Sequence, residues 1–317
     1  MGGIYVEKES LAVRFRKGAR QWGAVLPFLS VGLILFITFV LFPQIKNVYI
    51  ALTDYSIMPG SENPFVGLDN FKRAFEGMFE PGTDANYFWI AFRNNLLAVL
   101  VTVPGQLVLG LLVAVMIHNL KMGKNTYKVM FYIAVICDWV VVANIFDYIF
   151  QPDSGSLVNF VLMKLHVIQE PIAWLKETWT GNFVIWVFSL WKGFGWVMII
   201  YTAALQGVSN DLYEAATIDG ANTMDKFFHV TLPCIKGTTF YLLINLINGA
   251  MNIFIQVFLL TKGDPVGTTD VMMNYIYTRA FSYFEFGYAA ACGLMMGIFV
   301  FTTSMCLKRF LRYGQDQ

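Results

Sequence analysis

The chain has 317 residues, 57% of them hydrophobic and 14% charged, with a formal net charge of +1. That is far more apolar than a soluble domain and too nearly neutral for a nucleic-acid-binding surface. Cys137, Cys234, Cys292 and Cys306 fall within or beside apolar runs and imply no disulfide framework, the histidines have no metal-ligand spacing, and no Gly-x4-Gly-Lys-Ser/Thr run marks an ATPase.

Residues 1–23 form a basic segment with Lys8, Arg14, Arg16, Lys17 and Arg20, interleaved with Leu11, Phe15 and Trp22. Such a stretch either lies on the inner membrane face or is a solvated tail that sets orientation. Ala24–Phe42 is long enough to span a bilayer, too long for a signal-peptide core, and not followed by a cleavage site, so it is expected to be an uncleaved first span. Residues 43–93 form a polar outer segment. Further spans are expected at about 95–117, 129–150, 183–205, 238–260 and 289–307. The fold class is therefore an all-α polytopic membrane protein with six transmembrane helices, one domain over 24–309, and a cytoplasmic tail at 310–317. Thirteen Lys/Arg lie in the inner segments against eight in the longer outer ones, which puts both termini in the cytoplasm.

Polar residues inside spans are costly in hydrocarbon. Asp138, midway along the third span, and Lys192, midway along the fourth, both reach the midplane, where a salt bridge or a shared wet cavity is expected. A pair that fixes helix register explains them equally well. In the fifth span Asn245, Asn248, Asn252 and Gln256 fall within an arc of about 80°. This amide stripe suits either a path for a neutral polyhydroxylated ligand or hydrogen bonds between helices. Ala289, Gly293 and Gly297 in the sixth span let another helix approach closely.

The longest polar interruption of the C-terminal half lies between spans four and five. Asp211 and Glu214 have the spacing of a capping box, Gly220 supplies a left-handed stop, and Asn222 or Thr223 can cap a second helix that Pro233 ends. The result is a helical hairpin with exposed aromatics, suited to docking another protein.

The run Glu214-Ala215-Ala216, then Gly220, Val230 and Leu232-Pro233 resembles the "EAA loop" of ABC importer permeases, with Val230 where that family more often has Ile. Gly67-Leu68-Asp69-Asn70-Phe71, Gly155-Ser156-Leu157-Val158-Asn159, Trp191-Lys192 and Leu260–Pro265 are similar to elements of its sugar-import members, with Asp264 replacing a glycine and Asp138 standing where a proline is expected. The resemblance covers about residues 23–309 and implies a type I ABC importer permease fold of the six-span, maltose-type group. It implies a docking loop at 209–233 that seats Glu214, Ala215, Ala216, Gly220, Leu232 and Pro233 in a cleft of an ATPase. It further implies a second, non-identical permease, two ATPase subunits that hold ATP and Mg with no cofactor on this chain, and an external solute-binding protein. The substrate would be a sugar or oligosaccharide crossing a bacterial or archaeal cytoplasmic membrane. The rival class is an ion-coupled carrier in which Asp138, Asp147 and Lys192 bind a coupling ion, although no inverted repeat supports it.

Overall fold

The computed structural model describes residues 28–313, with side chains through Arg309. The basic segment 1–23, the start of the first expected span and residues 314–317 of the expected tail lie outside the described residues, while 310–313 continue the last helix. The described chain is helical, with a single isolated bridge between Thr53 and Phe65 in place of any sheet.

In chain order the helices are α1 (Phe28–Ala51), α2 (Asp69–Arg73), α3 (Asp84–Asn119), α4 (Lys124–Ile136), α5 (Trp139–Ile149), α6 (Leu157–Lys164) and α7 (Thr178–Gln206). They continue with α8 (Asn210–Ile218), α9 (Thr223–Lys226), α10 (Lys236–Met251), α11 (Ile255–Leu260), α12 (Met272–Phe281) and α13 (Phe286–Tyr313). Five stretches among the described residues are long and apolar enough to cross a membrane, and α4 with α5 makes a sixth if that bent pair is one span.

Three boundaries differ from expectation, each for a local reason. First, α1 continues past Phe42 to Ala51 through a π turn at Ile37–Leu41. Second, the expected third span is two helices bent by 90° between Ile136 and Trp139. Third, Pro233 does not end the helical hairpin, because a π turn at Phe227–Thr231 precedes it and the helix resumes at Leu232. Both π turns stop two residues short of a proline, Pro43 or Pro233. Proline lacks a donor and crowds the previous turn, and a widened turn accommodates it without ending the helix.

The centre of the bundle is α3 against α7. Gly110 and Gly193 make their close approach possible, since a Cβ at either would collide with Val197 or with the Gln106 amide. On one half of α7, Val184, Ile185 and Phe188 pack with Val142 and Phe146 of α5 and Val257 of α11. On the other half, Val197, Met198 and Tyr201 pack with Ala114 and Ile117 of α3 and Leu242 of α10. The small-residue stripe of α13 behaves otherwise. Ala289 is buried, but nothing lies within 4 Å of a Cβ at Gly293 or Gly297, so those two meet no other helix among the described residues.

At the end of the bundle away from the hairpin, Arg73 and Arg279 each pair with both Asp84 and Glu285. This ring ties α2, α3 and α12 to the start of α13. The segment 43–93 that carries it includes buried Asn70, whose Nδ2 donates to the carbonyls of Ala51 and Thr53 and so caps α1.

Candidate functional site: a mid-membrane cavity and a helical hairpin

A cavity of about 730 Å³ opens beside the middle of α7. Its walls combine Ser189, Lys192 and Trp196 of α7, Thr102 and Gln106 of α3, Trp139 of α5, and Asn245, Asn252 and Gln256 of the α10–α11 region. Lys192 lies 14 residues into a helix of 29, so it sits near mid-depth. Gln106 is held by a bond from its Nε2 to the Ser189 carbonyl, 3.1 Å.

The two intramembrane charges meet different partners from the pair expected. Lys192 Nζ donates to the carbonyls of Ala134 (3.0 Å), Val135 (3.4 Å) and Cys137 (2.6 Å), and stands 4.5 Å from the Trp139 ring centre. Asp138 Oδ1 instead accepts from the Val140 and Val141 N–H groups at the start of α5. No salt bridge joins them. The break between α4 and α5 exposes carbonyls at one helix end and N–H groups at the next, and hydrocarbon can satisfy neither. A cation at the C-terminal end and a carboxylate at the N-terminal end each match the helix dipole as well as its unpaired groups.

The amide stripe also divides. Asn245, Asn252 and Gln256 line the cavity, whereas Asn248 Oδ1 accepts from Ser304 Oγ of α13 at 2.8 Å. Asn248 is the outlier of the 80° arc, and it bonds a neighbouring helix while the other three face the cavity. The helix itself breaks at Asn252, whose Nδ2 turns back to the Asn248 carbonyl. Across the break, Asn95 Nδ2 donates to the carbonyls of Ala250 (3.2 Å) and Met251 (2.9 Å), and its Oδ1 accepts from the Met272 N–H.

Sequence inspection passed over Thr102, Gln106, Ser189, Trp139 and Trp196. The cost argument applied to the fifth span would have found Thr102 and Gln106, which are polar and one turn apart within the second. Asn94 and Asn95 sit at the edge of that span, where polarity attracts no notice.

The hairpin follows directly from α7. Ser209, not Asp211, caps α8, with its hydroxyl accepting from the Asp211 N–H. Glu214 therefore lies in the second turn, exposed, with Ala215 exposed and Ala216 half-buried. Gly220 has φ +83°, and the N–H groups of Gly220 and Ala221 close back on the carbonyls of Thr217 and Ala216. These two bonds are the Schellman stop that Gly220 announces. Asn222 and Asp225 form a reciprocal capping box at α9. Tyr213 Oη bonds Thr231 Oγ1 at 3.0 Å, tying the two arms together. Leu232 is half-buried and Pro233 exposed, while Leu212, Ile218, Met224 and Phe228 are exposed around the turn. Ile218 is 86% exposed and Met224 65%, an apolar face with no cover among the described residues.

A six-span helical bundle with a central polar cavity and a capped hairpin on the helix that walls it defines a membrane permease. Over residues 106–313 the chain matches the family described as binding-protein-dependent transport system inner membrane component, and it belongs to that family. It is a permease component of an ABC importer, and the ion-coupled alternative falls away with that membership. Asp138 and Lys192 are in any case engaged as helix caps.

Among its relatives are the arabinooligosaccharides transport system permease protein AraP of Bacillus subtilis, 32% identical over 85% of this chain and 82% of the relative. The probable ABC transporter permease protein YurN of the same organism is 28% identical over 92% and 98%. The trehalose/maltose transport system permease protein MalF of Thermococcus litoralis is 27% identical over 96% and 97%. In fold, the chain superposes on a bacterial ABC transporter involved in the import of the acidic polysaccharide alginate with a TM-score of 0.79, at 22% identity, over 95% of this chain and 99% of that one.

Proposed function

We propose that this chain is one wall of the path by which a sugar or oligosaccharide is imported across a bacterial or archaeal cytoplasmic membrane, with both termini in the cytoplasm. The observation that carries the proposal is the single helix α7. It presents Ser189, Lys192 and Trp196 to the cavity and runs unbroken to Gln206, just before the hairpin. At 1.5 Å per residue it is a rod of roughly 43 Å, joined to the hairpin through Gly207–Ser209, so a load on the hairpin enters its end and is carried along it to the cavity wall.

In this reading two ATPase subunits, which hold the ATP and Mg, seat the hairpin. Glu214 meets polar groups of their cleft, Ala215 and Ala216 allow close approach, Gly220 sets the angle between the arms, and Leu232 and Pro233 begin the return. A second, non-identical permease closes the other side of the cavity, and an external solute-binding protein delivers substrate. The names of relatives that handle arabinooligosaccharides and trehalose or maltose support a saccharide.

The wall chemistry suits one. Asn245, Asn252, Gln256 and Gln106 offer both donors and acceptors, which match hydroxyls of either sense, while Trp196 offers a face for the C–H side of a sugar ring. ATP-driven closure of the ATPases shifts the equilibrium between inward-open and outward-open arrangements of the spans. The test is uptake of a neutral oligosaccharide into vesicles carrying the complete complex. Uptake should stop on ATP depletion and survive collapse of the ion gradients. The reverse pattern would overturn the proposal.

A further inference from the structure

A second pocket, of about 590 Å³, lies at the start of α7 and the outer part of α3. Arg93, Lys176, Glu177 and Trp179 line it, with Ile90 and Thr268 as its less polar wall. The Thr178 hydroxyl bonds that of Thr268 at 2.7 Å and fixes the mouth. Arg93 stands 6.0 Å from the Trp179 ring centre, and among the described residues neither Arg93 nor Lys176 makes an ion pair. Two cations left without anions beside an exposed tryptophan call for an anionic partner.

Helical geometry says where that partner comes from. Arg93 and Thr102 are nine residues apart on α3, about 180° around the helix, and Trp179 and Lys192 are about 140° apart on α7. Thr102 and Lys192 face the central cavity, so the second pocket opens away from it, towards the surrounding bilayer. Trp179 is the second residue of a spanning helix, and the Arg93 guanidinium stands beside its ring at the same level. Both therefore sit at headgroup level, where tryptophan and arginine anchor a protein in its interface.

We propose that this pocket binds the headgroup of an aminophospholipid in the leaflet opposite the hairpin. Arg93 and Lys176 take the phosphodiester, and the Glu177 carboxylate takes the ammonium, so each charged group of the lining has a counterpart. A purely anionic headgroup would leave Glu177 opposed.

The test is native mass spectrometry of the complete transporter, delipidated and reconstituted in vesicles of equal phosphatidylethanolamine and phosphatidylglycerol. The wild type should retain phosphatidylethanolamine above its bulk share. The double variant Arg93→Gln with Lys176→Gln should retain roughly tenfold less lipid, as expected for losing charge-assisted hydrogen bonds. Arg93→Lys should keep most of it, and Glu177→Gln should move the preference towards phosphatidylglycerol. All four side chains are on the surface, so intact complexes should be recovered throughout. Equal retention in the wild type and the double variant would overturn the proposal. So would unchanged lipid retention together with weakened binding of an external protein, which would assign the pocket to a protein carboxylate. An unchanged preference in Glu177→Gln would refute the aminophospholipid assignment.

Discussion

Two helices break beside the same cavity, and the protein mends them differently. At Cys137–Asp138 the freed carbonyls of α4 are taken by a cation, Lys192, from a helix 55 residues further on. At Asn252–Phe254 the carbonyls of α10 are taken by a neutral amide, Asn95, from a helix 156 residues earlier. Both solve the same problem, because an unpaired carbonyl in hydrocarbon costs more than a kink does. The difference lies in what is left over. The cationic repair leaves a charge on the cavity wall and needs Asp138 at the following helix start. The amide repair leaves none, and it links the break to Met272 and thus to the loop 261–271.

The comparison is broken most severely by Lys192→Met. Three carbonyls, that of Ala134 buried and those of Val135 and Cys137 partly so, lose a charged donor, and a loss of about 3 kcal/mol is expected, measurable by steric trapping of the unfolded state in bilayers. Lys192→Arg should recover part of it.

The amide side has its own handle in pH. Burial pushes the Asp270 carboxyl up to about 6, although Asn274, the Val271 N–H and Arg279 pull it down. Because this pKa is raised on folding, the favourable contribution is complete below about pH 4 and is lost as pH rises to about 6, on the order of 2–3 kcal/mol. Protection factors of residues 261–274, corrected for the pH dependence of intrinsic exchange, should therefore rise on acidification from pH 7 to 5, with those at the Lys192 break unaffected. In Asp270→Asn that dependence should vanish.

Asn95→Leu removes the amide repair and should cost about 2 kcal/mol, less than the lysine, because its donors are neutral. The smallest effect should come from Asp138→Asn. Asparagine caps a helix as well as aspartate does, so a change of about 0.5 kcal/mol or less is expected. In a double-mutant cycle Asp138→Asn and Lys192→Met should be additive within about 0.5 kcal/mol. A coupling of several times that size would restore the direct ion pair.

These contrasts also explain what was legible beforehand. The hairpin could be read because its chemistry is local: Gly220 stops α8, and Asn222 with Asp225 starts α9 within four residues. Spans such as α7 could be read because apolar length alone decides them. The breaks could not, since the groups that make them tolerable, Lys192 and Asn95, come from distant helices. Asp138 looked like a buried charge seeking a partner because nothing in its own neighbourhood announces a helix start in mid-membrane. Pro233 misled for a related reason, its usual effect being absorbed by the preceding π turn.

The central claim is that the hairpin at the end of α7 passes the motion of the ATPases to the cavity wall. Gly220→Val in the reconstituted complete complex tests it most directly. Among the described residues no atom lies within 4 Å of a Cβ at this position, so the penalty there is the positive φ, about 1–2 kcal/mol confined to the hairpin. The account predicts that the variant inserts all its spans but binds the ATPases weakly, or lets them hydrolyse ATP without substrate uptake. Normal ATPase association together with normal uptake per ATP would contradict it.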